Sequence, residues 1–323
     1  MYPVQCCWLV KNTAQTDGGG VHNYYSAQPE VLDTFFIGNQ AVTGFGGAII
    51  NYRDSSPRLS NLVIAGNSAV YGGGVVNFSD ANPVVVSCSI GGNRADYGGG
   101  VYNLYASPSY TGCIIYGNTA DMSGPDILTQ QGSPRYSFCI LSGSNGSGSG
   151  WVHTLGVDSG GNLDVDPLFA DPDGSDNVSG TEDDDLSLLS GSPAVDAIVS
   201  GTAAASIPAT DIVGSDRTVG VGPDIGAYER GPADRTAPAP ITSFSVSRQS
   251  SHAYVSWQNP VSDFQTALVV RNATHTPQVP TDGQVVYQGT QQYTRDFGLT
   301  GGTYYYSVFA VDAFGKLFHS VLE

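Results

Sequence analysis

The sequence predicts an all-β chain: a right-handed parallel β-helix of about 26 residues per coil, a C-terminal cap, then a β-sandwich. Three observations predict it. First, the segment YGGGVYN at 97–103 has relatives YGGGVVN at 71–77, FGGAIIN at 45–51 and DGGGVHN at 17–23, with a degenerate copy, SGPDILT, at 123–129. Their last residues, Asn23, Asn51, Asn77, Asn103 and Thr129, are 28, 26, 26 and 26 positions apart. Second, another motif keeps the same phase, with FIGN ending at Asn39, IAGN at Asn67, IGGN at Asn93 and IYGN at Asn118. Third, the chain holds 42 glycines and only 13% charged residues, arranged as short Val/Ile/Tyr/Thr runs between Gly-rich turns with no helical periodicity.

A period near 26 is too short for a propeller blade, which needs about 40 residues or more. Three short strands and three turns per coil fit it, with coils stacked roughly 4.8 Å apart. Stacking places equivalent residues above one another, so a turn that needs positive φ in one coil needs it in all, and glycine accepts this without strain. Gly73 and Gly99 belong to such a column. Asn77 and Asn103 belong to another, in which side-chain amides bond from coil to coil. Cys7, Cys88 and Cys113 each stand five residues before the Asn of their coil, and Cys139 follows Cys113 by 26. Thr34 and Leu62 hold that place in the coils between, so these cysteines read as small inward-facing hydrophobes, with Cys6 exposed. The first GGG is already in phase at Gly18, which predicts further coils upstream of Met1. An open N-terminal coil also suits end-to-end self-association.

The formal net charge of −17, with 12 basic residues, excludes nucleic acid and anionic membrane as partners. No apolar run approaches the ~20 residues of a membrane span, so no membrane insertion is expected. The opening MYPVQCCWLV lacks the basic region of a signal peptide. Ten acids and no Lys or Arg lie between Asp158 and Asp185. Within that run Asp171, Asp173, Asp176, Asp183 and Asp184 have the oxygen ligands Ca²⁺ takes, while metal-free turns use the same residues. Of the 18 tyrosines, Tyr71, Tyr97, Tyr105 and Tyr116 fall near coil corners, as do Tyr24, Tyr52 and Tyr110. They either stack on sugar rings or pack the rim around the glycine turns.

FIGN with FGGAI resembles the FxxN and GGAI repeats of the polymorphic outer-membrane proteins, across roughly residues 5–145. That resemblance implies a β-helical surface adhesin, without the membrane barrel of those proteins. DPLF (166–169), LSLLSGSPAVDA (186–197), DIVGSDR (211–217) and DIGAYE (224–229) together resemble the choice-of-anchor Q type C-terminal region of secreted bacterial β-helices. This implies an extracellular or cell-surface location and a cap over the strand edges of the last coil. GPADRTAPAPI (231–241) reads as a linker. Beyond it, AYVSWQNP (253–260), ALVVRN (267–272) and TYYYSVFAVD (303–312) resemble a fibronectin type III domain. Trp257 then matches the core tryptophan and Tyr304 the tyrosine corner, although Leu299 sits one residue closer to it than the family's pattern has. The expected organisation is coils over 1–165, cap over 166–230, linker over 231–240 and fibronectin type III-like sandwich over 241–323.

Parallel β-helices also include polygalacturonases, epimerases and pectate lyases. The Gly-His-Gly of the first is absent, because His22, His153, His252, His275 and His319 stand in other contexts, and so is the Asp-Pro-His-Glu box of the second. A lyase needs an Arg or Lys base beside carboxylates that hold Ca²⁺ against a uronate. Arg53, Arg58 and Arg94 are the candidates, with Asp54 and Asp96 the expected surface partners of the first and last. The residues therefore favour a non-catalytic protein of adhesion, carbohydrate binding or structural spacing, whose partner is a polysaccharide or cell-surface glycan. The alternative is a Ca²⁺-dependent polysaccharide lyase with part of its active site upstream.

Overall fold

The computed structural model describes residues 3–199, 206–217, 219–230, 240–249, 252–260, 264, 266–280, 282–311 and 317–321. Two compact units emerge, Met1–Ala233 and Asp234–Glu323. The expected linker lies, apart from Pro240, outside the described residues. Among those residues no helix is long and apolar enough to cross a membrane.

The first unit is a parallel β-helix of about six turns with three sheets. The widest is built on Glu30–Ile37 and Arg58–Ala65, and continues as paired short strands from Val84–Val86 and Ser89–Gly91 onward. The second runs from Thr13–Ala14 to Thr119–Ser123, and the third from Val21–Tyr24 to Ile127–Gln130. Motif residues pair with their own counterparts: Val75 with Ile49 and Val101, Asn77 with Asn51 and Asn103. The repeat therefore sets the register.

Two asparagine ladders run through the interior. In one, the side-chain amide of Asn23 donates to Asn51 (2.9 Å), Asn51 to Asn77 (2.8 Å) and Asn77 to Asn103 (2.9 Å). In the other, Asn12, Asn39, Asn67, Asn93 and Asn118 each give a backbone N–H and an amide N–H to the Oδ1 of the next member. The last acceptor is Asp126, at 2.9 and 2.8 Å from Asn118, in the degenerate repeat SGPDILT. Its carboxylate ends the ladder because it accepts without needing a further acceptor above it. Burial raises its pKa, and the bonds from Asn118 oppose that shift.

The glycine runs are explained position by position. Gly72 and Gly98 adopt φ of 61° and 66°, the left-handed region. Gly73 and Gly99 do not; their constraint is space. A Cβ on Gly73 would lie 2.4 Å from the Arg94 carbonyl oxygen, and one on Gly99 2.1 Å from that of Thr119. Glycine does not hold every left-handed column, however. Cys6, Asp33, Asn61, Ser87, Gly112 and Phe138 kink the widest sheet at φ between 46° and 61°. Stacking enforces this conformation because backbone bonds from coil to coil, such as Ser87 N–H to Thr111 O at 3.0 Å, persist through the kink. The residue after each kink explains the cysteine column. Cys88, Cys113 and Cys139 are buried free thiols that donate to the carbonyls of Val86, Thr111 and Ser137, and Thr34 does the same to Leu32. Cys6 is exposed.

The end of the stack is closed differently from expectation. Trp151 is 3% exposed, joins the helix core and packs 6.0 Å from Tyr136, with its indole N–H on Gly156 O at 2.8 Å. The described residues of 166–230, a segment expected over the last coil, lie along the flank of the widest sheet. Its outward residues Ile37, Val63 and Ala65 pack with Leu186, Ile212 and Ala227. Farther along, Ile114 and Ile140 pack with Leu188, Ala194 and Ile198. The reason is apolar surface: these strands carry hydrophobic residues on both faces, so the outer face also needs a cover.

The second unit is a pair of antiparallel sheets with one core. Thr242–Arg248, His252–Gln258 and Tyr293–Phe297 form the first; Gln284–Gly289, Thr266–Asn272, Tyr305–Val311 and Leu317–Val321 form the second. Trp257, Val255, Val269, Tyr306 and Val308 fill the space between. Buried Asp296 accepts both Arg271 (2.8 Å) and the Tyr306 hydroxyl (2.7 Å).

Two outcomes are expected. Asn77→Ala leaves Asn51 without its acceptor and Asn103 without its donor, and lowers unfolding free energy by about 2–4 kcal/mol in urea titrations. Gly73→Ala lowers Tm by about 10 °C or more, and Gly74→Ala lowers it by less: its Cβ would meet the Gly100 carbonyl oxygen at 2.6 Å, but Ala48 shows that this column takes a methyl group.

Candidate functional site

Tyr71 and Tyr97 end strands of the second sheet and stack with Phe45, at 4.7 Å (Phe45–Tyr71) and 5.3 Å (Tyr71–Tyr97). With Tyr52 and Phe78 they close over Ile50, Val76 and Tyr102, none more than 4% exposed. Tyr71 thus has a ring against each face. The corner is an external patch of core, and Tyr71 is packing.

Tyr105 is 50% exposed in a turn column with Tyr25, Arg53, Ser79 and Gln131, all with positive φ. At the start of this column lies an aromatic cluster. Tyr24 stands 5.5 Å from Tyr52, 5.9 Å from Tyr25 and 5.7 Å from His22, ring centre to ring centre. The Arg53 guanidinium lies over Tyr52 and Tyr24, at 5.3 and 5.7 Å. Tyr25 is 70% exposed and Tyr24 48%. The sequence hid this cluster because the members come from two coils 28 residues apart.

Tyr116 faces the opposite flank. It lines a cleft of about 330 Å³ between the helix and the flanking segment, with Asp166, Leu168, Phe169, Asp173 and Leu189. Burial, then Asp166, raises the Tyr116 pKa. No Lys or Arg lines this cleft among the described residues, so an anionic sugar would meet carboxylates there.

The acidic loop is organised by turn bonds. Asp183 accepts from Ser175 N–H, Ser175 Oγ and Thr181 Oγ1 at 2.6–2.8 Å, and Asp176 accepts from Val178 N–H at 2.9 Å. Hydrogen bonds from Thr181, then Ser175, hold the Asp183 carboxyl well below the usual range. Asp184 accepts from Gly180 N–H at 2.7 Å, Asp171 lies in a short hairpin opposite Asp185, and Asp173 reaches the cleft. Among the described residues no three His, Cys, Asp or Glu side chains are grouped to hold a metal.

The candidate bases stand apart. Arg94 pairs with Asp121 of the next coil at 2.9 Å rather than with its neighbour Asp96, and both partners are more than half exposed. Arg58 reaches Ser206 O at 3.4 Å, and Arg53 lies on the tyrosines rather than on Asp54. Inter-coil stacking decides these partners, because residues in register are about 5 Å apart whatever their sequence separation.

One titratable cluster is buried. Arg217 is 1% exposed, bonds to Asn61 Oδ1 and to the Gly226 and Ala227 carbonyls, and lies 3.7 Å from Glu229. Asp224 holds the N–H groups of Asp196 and Arg230, and Asp211 holds that of Glu229. Three of the four spaced motifs of the flanking segment, those at 186–197, 211–217 and 224–229, thus meet as a knot that fastens it to the helix. No known protein family, curated protein or solved structure matches the chain.

Burial raises Glu229 to about 8 and Asp224 to about 6. Both then bind protons more tightly folded than unfolded, so their contribution is full below the unfolded values and lost as pH rises through the folded ones. The first unit is therefore expected to melt higher at pH 5 than at pH 9, with a smaller difference in Glu229→Gln, in calorimetric scans across that range.

Proposed function

We propose that the chain is a non-catalytic extracellular or cell-surface protein whose β-helix binds a polysaccharide while acting as a stalk for the sandwich unit. The observation that carries this reading is the exposed pair Tyr24 and Tyr25, backed by half-buried Tyr52, on the coil stack. Tyrosine faces fixed by a scaffold bind sugar C–H surfaces at small entropic cost, and the phenols supply hydrogen bonds. The sandwich is read as fibronectin type III-like from buried Trp257 and from Tyr304, whose hydroxyl donates to Thr300 O at 3.1 Å, the back-bond of a tyrosine corner. Such a module suits spacing or attachment.

The lyase reading lacks its chemical set. Proton abstraction beside a uronate carboxylate needs a base and a charge-neutralising group at one place. Arg58 and Arg94 contact other partners, and none of the three arginines lines the cleft that gathers carboxylates, which has no basic lining among the described residues.

A glycan array with the intact chain tests this, run with Ca²⁺ and with chelator, beside an ultraviolet assay for unsaturated products. Saturable binding without product is expected. Loss of that binding in chelator assigns a role to the 171–184 loop; product formation rejects the non-catalytic reading.

A further inference from the structure

Among the described residues Arg53, like Arg58, forms no ion pair with a carboxylate; what distinguishes it is its place over two tyrosine rings. Arg94 and Arg271 spend their guanidinium groups on Asp121 and Asp296, and buried Arg217 is held among carbonyls beside Glu229. Arg53 is exposed and lies over two phenol rings. Its largest interaction is with the Tyr52 side chain, which raises its pKa, and the N–H groups left over on its planar fork match a carboxylate. Tyr25 beside it offers the most exposed ring of the cluster, and His22 edges Tyr24 from the other side, at 72° between planes.

We propose that His22, Tyr24, Tyr25, Tyr52 and Arg53 form a subsite for a carboxylate-bearing sugar, a uronate unit of a polysaccharide. Its ring rests on the exposed tyrosines and its carboxylate takes the fork of Arg53. This rests on the glycan-binding reading and names the ligand class within it. A neutral sugar leaves the guanidinium unused. Nucleic acid brings a continuous run of phosphates against a net charge of −17. The neighbouring acids Asp54 and Asp80 occupy the next turn position, so the attraction is short-range and specific to one carboxylate per site. The acidic cleft around Tyr116 offers such a sugar no comparable donor.

Calorimetric titration of the intact chain with oligogalacturonate and with its fully methyl-esterified counterpart tests the proposal, since the ester keeps the sugar ring and caps the carboxylate with a methyl group that removes its charge. The free acid is expected to bind about tenfold tighter than the ester, the value of one charge-assisted bond pair. Arg53→Gln should abolish that difference. Its fold is secure because Gln131 already holds the same left-handed turn position. Tyr25→Ala should weaken both ligands, and Arg94→Gln neither. Equal binding of acid and ester, or an Arg53→Gln variant that behaves as the parent, overturns the ligand class. If Tyr25→Ala still weakens both in that case, glycan binding itself stands. Absence of binding to either ligand overturns the subsite, and silence on the neutral glycans of the array as well overturns the glycan-binding reading.

Discussion

Coil-to-coil stacking in register is the constraint from which the first unit follows. Each inward residue must fit its own counterpart one coil away, and buried amides make that requirement strict. An asparagine displaced by one coil position would place a donor against a donor or bury it unpaired, at about 1–3 kcal/mol for each group left unsatisfied. The two ladders therefore fix register more sharply than the apolar columns of Val, Ile and Leu, which tolerate exchange of similar volumes. Hydrophobic burial supplies most of the stability, and the ladders select one alignment from the many that burial alone would accept.

What was legible in the sequence is what repeats. The phase of GGG and of the Asn motifs disclosed the coil, its strands and its cysteine column, because equivalent residues face equivalent surroundings. Trp151 occurs once and has no counterpart to give it a phase, so its role as the plug of the stack was not visible. The same holds for the flanking segment. Its motifs stood out, but they bond across long sequence distances, as Arg217 does to Asn61, and nothing local says which surface they cover. Arg53 was misassigned for a related reason. Its sequence neighbour is Asp54, whereas register puts Tyr52 beside Tyr24 and the guanidinium finds both rings.

The first unit also shows how an acidic chain uses its charge. Many of its carboxylates are committed locally. Asp158 accepts from Ser147, Gly148, Gly160 and Asn162, and Asp164 from the N–H groups of Gly143 and Asn145. These acids serve as turn fasteners in a chain with little helix or long antiparallel hairpin to satisfy loop amides. Surface cations are correspondingly few, so an arginine held on aromatic rings rather than on an acid is a distinctive feature of the surface.

The substitution of Asp126 into the glycine motif has a consequence for how such a chain can change in length. An asparagine both gives and takes, so any coil carrying one can be copied beside another and the row simply grows. A carboxylate only takes. Once it stands in the row, no further member can be added beyond it without leaving two acceptors facing each other. Growth by duplication is therefore open among the coils before it and closed at that point. One residue thus marks where the repeating part stops and the unique closing part, with Trp151, begins.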